Sequence, residues 1–223
     1  MQEAAWRVRD TVHTAIGKRL ADELRARGVD PAGATVLAFG GNGATHCAGI
    51  AQAAGIGDVM TLPFSPVFSA YGASTADVRH RYEVRADEYD EQVLRARAER
   101  DMRGEGFTAA EIELEVLHFQ GDGTEWVALE ATRELPHVEL ARIAASGADA
   151  ATEPEGSCEV RWPDVGVVTT PVHSRERLGT GTELPGPALV DSATTTCAVP
   201  PGWTLLVDEH GAERLSFDGR GRA

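Results

Sequence analysis

Several features that place chains in familiar classes are scarce or missing from this sequence. Its 223 residues hold three cysteines, Cys47, Cys158 and Cys197, and none lies in a C-x-x-C pair. This spacing argues against a disulfide framework and favours reduced thiols in the cytoplasm. No apolar run approaches the roughly 20 residues that cross a bilayer. The first residues also lack the basic and apolar segments of an export signal, so no targeting sequence is expected.

Basic residues are scarce as well. Lysine and arginine total 21 against 35 aspartates and glutamates, which gives a net charge of −14. Such a balance argues against partners that are nucleic acids or anionic membranes. It leaves a nucleotide site open, because that site needs positive potential over a few atoms only. The length suits one large domain or two small ones, either with a core of its own.

A glycine turn is the most informative segment of the chain. An apolar strand ending at Phe39 runs into Gly40-Gly41-Asn42-Gly43, and mostly small residues then predict a helix over 44–54 that stops at Gly55. A helix that starts after such a turn directs N–H groups and a positive dipole end at an anion. Gly40, Gly41, Asn42 and Gly43 are therefore the candidate cofactor-binding residues. The alternative is a tight turn without a ligand.

Other site types have less support. The turn lacks the Lys-Ser/Thr of a P-loop and the third glycine of a dinucleotide fingerprint. His46 is the candidate catalytic residue, and the alternative is a histidine bonded to the helix backbone. Asp77 and His80 are three residues apart, so they either hold a cation on a helix or brace the entry to the next strand. No G-x-S-x-G elbow occurs, and no metal site is predicted in this chain.

Periodicity divides the chain into an αβ unit over residues 1–85 and a β-rich α+β module over 86–223. In the first part we predict helices at 3–28, 44–54 and 66–75 and strands at 35–39, 58–62 and 81–85. In the second part we predict helices at 88–102 and 135–146, a strand from Ile112, a turn at Gly121-Asp122-Gly123 into strand 124–129, and strands at 157–162, 165–172, 187–191, 195–199 and 203–207. The first helix carries an apolar stripe that includes Trp6, Val12 and Ile16, and this stripe either faces the core of the chain itself or contacts a partner subunit.

Longer motifs occur in the same order as in a known family. Phe39–Cys47, Leu62–Gly72 and Ala76–His80 resemble the segments FGGAGPxHA, SALG and ADVRH of hydantoinase/oxoprolinase A-type subunits. The later matching segments are Thr170–Arg175, Pro185–Val190, Thr194–Thr196 and Pro200–Trp203. The resemblance covers nearly the whole chain and extends to about Leu215. Asn42 and Ala44 depart from the pattern, which has Ala and Pro there.

The resemblance implies a fold and partners. It implies an α/β chain with part of an actin- and sugar-kinase-like ATP-binding unit followed by the β-rich module. A truncated A-type subunit and a B-type subunit would complete the complex, so this chain alone would be inactive. ATP and Mg²⁺ would act in the complex, with a further divalent metal in a partner. The turn at Gly40–Gly43 would lie beside the adenosine or the α-phosphate.

Three functions are compatible with this resemblance. The first is a small subunit of an ATP-dependent ketone carboxylase that uses a ketone and bicarbonate, similar to acetone and acetophenone carboxylases. Segments Val67–Asp77 and Arg100–Phe107 resemble that branch more closely. The second is a subunit of an ATP-dependent cyclic-amide hydrolase similar to oxoprolinase or N-methylhydantoinase. The third is a purely structural subunit.

Overall fold

A computed structural model describes residues 2–137, 153–163 and 165–217, and the chain divides into two compact units. Unit 1 comprises Met1–Tyr71 and Leu140–Ala223, and unit 2 comprises Gly72–Glu139. The elements in chain order are α1 (Gln2–Ala26), β1 (Thr35–Ala38), α2 (Gly43–Ala54), β2 (Asp58–Thr61), α3 (Phe68–Ser74), β3 (Val78–Arg85), α4 (Glu91–Gly104), β4 (Glu113–Gly121), β5 (Thr124–Arg133), β6 (Gly156–Trp162), β7 (Gly166–Ser174), β8 (Glu183–Pro185), β9 (Ala188–Asp191), β10 (Thr196–Val199), β11 (Trp203–Val207) and β12 (Glu213–Phe217). The predicted α/β class is confirmed.

Helices α1 and α2 pack tightly against each other in unit 1, and both were predicted from the sequence. A β-carbon on Gly17 would lie 2.6 Å from the β-carbon of Ala53 and 2.7 Å from the carbonyl oxygen of Ile50. Glycine inside a helix costs about 0.5–1 kcal/mol relative to alanine. Here it allows the two backbones to approach, which an alanine would prevent.

The first two strands of unit 1 belong to a five-stranded sheet with the order β1-β2-β12-β11-β8. Strands β1 and β2 are parallel, as the predicted αβαβ arrangement requires. Strand β12 pairs antiparallel with β2 and places Leu215 opposite Val59. This pairing joins the first strands to the last ones, so the compact units do not follow the predicted boundary at residue 85. The sequence prediction omitted β8 and β12.

A four-stranded sheet with the order β10-β9-β7-β6 completes unit 1. It contains the predicted strands at 157–162, 165–172, 187–191 and 195–199, with ends shifted by one or two residues. Val190 and Val199 from this sheet share one buried cluster with Val59, Leu205 and Leu215 from the five-stranded sheet. The alanines of α2 belong to the same cluster, so α2 and strands of both sheets share one hydrophobic core.

Unit 2 is a three-stranded antiparallel sheet, β3-β5-β4, with helix α4. The predicted hairpin turn is confirmed: Asp122 and Gly123 both have positive φ, 49° and 75°, as a tight two-residue turn requires. Met102 of α4 is fully buried in a cluster with Leu129 and Ala131 of β5. Unit 2 therefore has a separate core built from neighbouring segments.

Two predictions at the edges of unit 2 had different outcomes. The strand predicted from Ile112 is confirmed as β4, which begins at Glu113. Thr108 and Glu111 form a capping box, and it caps a single 3₁₀ turn directly before this strand. The predicted helix over 135–146 falls mostly on residues 138–146, which lie outside the described residues. The residues before them, 134–137, are not helical.

Candidate functional site

The glycine turn leaves the carboxyl end of β1 and leads directly into α2. Gly40 has a φ of +90°, a value that favours glycine. Its N–H donates to the carbonyl of Ser65 at 2.7 Å, and its own carbonyl accepts from Gly43 at 3.1 Å. Asn42 is the N-cap residue but its side chain makes no capping hydrogen bond. Because the first N–H groups of a helix lack intrahelical partners, this exposed start suits an anionic ligand.

The loop between β9 and β10 lies against this turn. The Thr195 hydroxyl donates to the carbonyl of Gly41 at 2.9 Å. The Thr45 hydroxyl donates to the carbonyl of Thr196 at 2.7 Å. These two bonds join residues more than 150 positions apart, and they hold the turn and the loop in one fixed arrangement.

A cavity of about 260 Å³ opens beside this loop, at the carboxyl end of β2. Its lining residues are Thr61, Leu62, Pro63, Arg175, Glu176, Val190, Ser192, Ala193, Thr194, Thr195, Cys197, Gly211 and Glu213. The carboxyl ends of parallel strands are the usual ligand-binding edge of α/β sheets. The glycine turn and the cavity both lie at this edge.

A buried ion pair forms part of the cavity wall. Glu213 is 7% exposed, and its carboxylate lies 3.0 Å from Nε of Arg175. The Thr61 hydroxyl donates to the other carboxylate oxygen at 3.0 Å. Burial raises the pKa of Glu213, and the nearby Arg175 charge and the Thr61 and Cys197 hydrogen bonds only partly oppose this. The remaining guanidinium nitrogens of Arg175 donate to the carbonyls of Leu178 and Gly211, which fixes the pair in place.

The charges in the cavity wall leave little attraction for a phosphate inside. Among the described residues that line the cavity, Arg175 is the one cation, and it is already paired with Glu213. Backbone N–H groups and the Ser174 hydroxyl lower the pKa of Glu176, which is therefore anionic at pH 7. Burial raises the pKa of Cys197 well above its ordinary value, so this thiol stays protonated. The cavity suits an uncharged polar group, whereas the exposed helix start suits an anion.

Aromatic side chains form a rim beside the turn. Phe39 and Phe64 are each about half exposed, at 50% and 48%. The ring of Phe39 lies 5.7 Å from Phe68, and the ring of Phe64 stacks on Tyr71 at 5.9 Å between centroids. Exposed rings in such an arrangement offer a surface on which a planar group can stack.

His46 lies in α2 just after the turn and contacts another histidine. Its Nδ1 is 2.9 Å from Nε2 of His13 on α1. Sequence reasoning offered a ligand contact or a backbone hydrogen bond for His46. The structure pairs Nδ1 of His46 with a second imidazole, which the sequence pattern does not indicate, and the ligand contact stays a prediction.

Asp77 and His80 lie in unit 2 and do not form a cation site. Asp77 accepts hydrogen bonds from the N–H of Leu135 and from His137, at 3.0 and 2.9 Å. His80 lies on β3 and contacts Glu105 at 2.8 Å. Asp77 thus links the start of β3 to the segment after β5, as the bracing alternative expects. Among the described residues, no group of three or more histidines, cysteines or acids could hold a metal, and no helix is long and apolar enough to cross a membrane.

Two family profiles match the chain at the segments that build this site. Hydantoinase/oxoprolinase matches residues 1–82, and the hydantoinase/oxoprolinase C-terminal domain matches residues 127–215. The chain belongs to the hydantoinase/oxoprolinase family. The glycine turn lies in the first match, and the Arg175–Glu213 pair lies in the second.

Curated relatives and solved structures agree with this family. The acetophenone carboxylase gamma subunit of Aromatoleum aromaticum is 25% identical over 94% of this chain and 37% of its own length. An uncharacterised protein of Methanocaldococcus jannaschii is 24% identical over 96% of this chain and 38% of its own. The chain thus spans less than two fifths of the length of these relatives.

Two solved structures share the fold. A nucleotide-free acetone carboxylase gives a TM-score of 0.73 at 18% identity and covers 96% of this chain and 40% of its own. An ATP-dependent caprolactamase from Pseudomonas jessenii gives a TM-score of 0.63 at 20% identity, and the match covers 93% of this chain and 39% of the caprolactamase chain. These likenesses establish the hydantoinase/oxoprolinase fold for both units of the chain.

Sequence reasoning found the turn of this family member but missed the residues around it. Four residues of the cavity wall are far apart in the chain and meet only when β12 pairs with β2. They are Thr61, Arg175, Thr195 and Glu213. One available signal was the alternation of Leu215 and Phe217 with polar residues after Gly211. That period-2 pattern is typical of a strand, and it would have placed Glu213 on the same face as Leu215.

Proposed function

We propose that this chain supplies part of the nucleotide site of an ATP-dependent ketone carboxylase that works with hydantoinase-like partner subunits. The observation that carries the proposal is the exposed, uncapped start of α2 directly after the Gly40–Gly43 turn. The similarity to an acetophenone carboxylase gamma subunit over 94% of the chain supports the choice of reaction. The truncated A-type subunit, the B-type subunit and the cytoplasmic location belong to the same proposal.

The two parts of the site would hold different parts of ATP. The helix start favours a phosphate because N–H groups and the helix dipole point at it. The cavity, whose single arginine is already paired, favours the uncharged nucleoside. Phosphoryl transfer depends mainly on positioning and on charge neutralisation, so the role of this chain is to bind and orient the nucleotide.

The Mg²⁺ and any further metal are not assigned to this chain. Among residues 2–137, 153–163 and 165–217, no group of three or more acids, histidines or cysteines could hold a metal ion. Mg²⁺ is usually held by carboxylates together with substrate phosphates. We therefore assign those carboxylates and the contacts to the γ-phosphate to a partner subunit, and we expect this chain to be inactive alone.

Gly41 provides the direct test of the nucleotide site. A β-carbon at this position meets no described atom within 4 Å, and its φ does not require glycine. Gly41→Val should therefore fold normally, yet it should weaken ATP binding by the complex roughly tenfold or more because a close ligand would be displaced. Gly156→Val is the matched control, since that position is also open and lies in strand β6. Wild-type ATP affinity in Gly41→Val would refute the assignment.

The reaction can be tested on the purified complex. With ATP, Mg²⁺, labelled bicarbonate and a panel of methyl ketones, label should enter an acid-stable acidic product. ATP turnover should rise when ketone and bicarbonate are both present. Turnover stimulated by 5-oxoproline, hydantoins or caprolactam, without fixed label, would assign the chain to the cyclic-amide hydrolases. The caprolactamase with the same fold makes this the main competing function.

Helix α1 is the proposed contact with a partner. Val8, Val12 and Ile16 recur at four-residue steps and are 64%, 44% and 47% exposed. Trp6 differs from them, because the guanidinium of Arg161 lies 4.8 Å from its ring within the same unit. Ile16→Asp should reduce recovery of the complex in a pull-down without lowering the melting temperature of the chain.

Trp6→Ala is the contrasting variant on the same helix. Loss of its stacking on Arg161 should lower the melting temperature of the isolated chain. Equal recovery of the complex for Ile16→Asp and the wild type would instead favour a structural chain that needs no partner on this face. Mass identification of proteins that copurify with the chain would then name the actual partners.

A further inference from the structure

Two imidazoles meet at the junction of α1 and α2. His13 is 9% exposed, and its Nε2 lies 2.9 Å from Nδ1 of His46. The rings are nearly perpendicular, with centroids 5.1 Å apart. One of the two facing nitrogens must carry the hydrogen, since two lone pairs or two N–H groups would repel each other. The identity of the donor decides what His46 can do.

The packing around His13 favours Nε2 of this ring as the donor. A β-carbon on Gly49 would overlap Nδ1 of His13 and would lie 2.6 Å from its Cε1, so this edge of the ring rests against the α-carbon of Gly49. A nitrogen lone pair tolerates that neighbour, whereas an N–H there would need an acceptor. The hydrogen of His13 therefore belongs on Nε2, which is also the tautomer that neutral imidazole prefers in water.

We infer that His13 is a positioning residue that holds His46 as a neutral imidazole with its hydrogen on Nε2. The lone pair of His46 on Nδ1 accepts from His13, so His46 is not available as a general base through that nitrogen. Its Nε2–H is a hydrogen-bond donor without a positive charge. We expect this N–H to donate to an anionic oxygen of a nucleotide at the start of α2. That expectation rests on the proposed function.

The charged neighbours of His13 are consistent with a neutral His13. Burial is the main cause that lowers the pKa of His13, and His46 and Arg9 lower it further, while Asp10 raises it. Arg9 donates to the carboxylate of Asp10 at 2.7 Å and to the carbonyl of Arg161, so these two charges largely offset each other. His13 is therefore uncharged at pH 7 and can donate through Nε2.

Nitrogen NMR of the full chain tests this arrangement without any ligand. In protein labelled with ¹⁵N-histidine, long-range ¹H–¹⁵N correlations should show both His13 and His46 with the hydrogen on Nε2. His13→Gln keeps an amide donor in reach of Nδ1 of His46 and should preserve the His46 tautomer. His13→Leu removes the donor and should give a mixture of both His46 tautomers. Hydrogen on Nδ1 of His46 in the wild type would overturn the inference, whether or not the variants fold.

Nucleotide binding by the complex tests the donor role separately. His13→Leu should weaken ATP binding several-fold, and His13→Gln should restore most of the affinity. Equal affinity in all three proteins would refute a role for His46 as a donor to the ligand. If the wild-type complex binds no ATP while the tautomers are as expected, the proposed function fails and the positioning of His46 by His13 stands.

Discussion

Each unit buries one glutamate beside an arginine, but unit 1 encloses the arginine more fully. In unit 1, Glu213 and Arg175 form an ion pair in the wall of a cavity, with side chains 9% and 22% exposed. In unit 2, Glu130 is buried as well, but its partner Arg81 is 39% exposed, and pairs such as Arg85–Asp87 lie at the surface with both side chains more than half exposed. Charge is expensive to bury, and a fold gains little stability from doing so. The more fully enclosed pair of unit 1 supports the proposal that the ligand site lies in that unit.

The units also differ in how far apart their paired segments lie. In unit 2, β4 and β5 are joined by a two-residue turn. In unit 1, Thr61 bonds to Glu213, 152 positions away in the sequence. Local pairing depends on local sequence, whereas the site of unit 1 depends on the whole unit being folded.

Removal of the Arg175 cation should give the largest difference in lost folding stability between the two units. Arg175→Ala leaves Glu213 buried without its charged partner and removes two bonds to backbone carbonyls. We expect a loss of about 3–5 kcal/mol in the free energy of unfolding. Arg85→Ala in unit 2 should change it by no more than about 1 kcal/mol. Urea unfolding of the full chain at pH 7 measures both.

A small effect of Arg175→Ala would be equally informative. It would mean that Glu213 is already protonated in the folded chain at pH 7, in line with the upward direction of its pKa. The charge contrast between the units would then be smaller than the geometry of the pair indicates.

Helix glycines give the next comparison. Gly17→Ala in α1 should destabilise unit 1 by about 1–3 kcal/mol, because the added carbon meets the backbone of α2. The β-carbon added by Gly104→Ala in α4 meets no described atom within 4 Å. This variant should stabilise unit 2 by up to about 1 kcal/mol. Thermal unfolding followed by circular dichroism distinguishes the two. Opposite signs are the expected result, and a neutral Gly17→Ala would contradict the close packing of α1 and α2.

Turn glycines separate stability from binding. Gly40 in unit 1 and Gly123 in unit 2 both have positive φ, +90° and +75°. Alanine at either position should cost about 1–2 kcal/mol in folding stability. Only Gly40→Ala should also weaken nucleotide binding by the complex. Equal loss of binding in both variants would mean that the site does not depend on the turn of unit 1.

The smallest expected effect concerns pH. Burial lowers the pKa of His13 in the folded chain, so the folded state resists protonation. This part of the stability is present above the unfolded pKa of about 6.5 and is lost as the pH falls below it. His13→Gln should flatten the decline in stability between about pH 6.5 and 5. An unchanged slope in the variant would show that other groups control this range.

Sequence was sufficient for features that depend on neighbouring residues. The hairpin turn at Asp122-Gly123, the helix over 44–54 and the glycine turn at Gly40 follow from local backbone chemistry. Sequence was insufficient where contacts join distant segments. Glu213 stands in a short strand next to Arg214, so it resembles a solvated residue until β12 pairs between β2 and β11.

The pairing of β2 with β12 also sets an order of events during synthesis. All of unit 2 leaves the ribosome after β2 and before β12. The hairpin of unit 2 can therefore close while the edge of β2 that pairs with β12 is still unpaired. Contacts over such a distance are slow to form because a long loop must close first. The cavity wall at Thr61 and Glu213 can therefore form only after β12 has been synthesised, when unit 2 has already emerged.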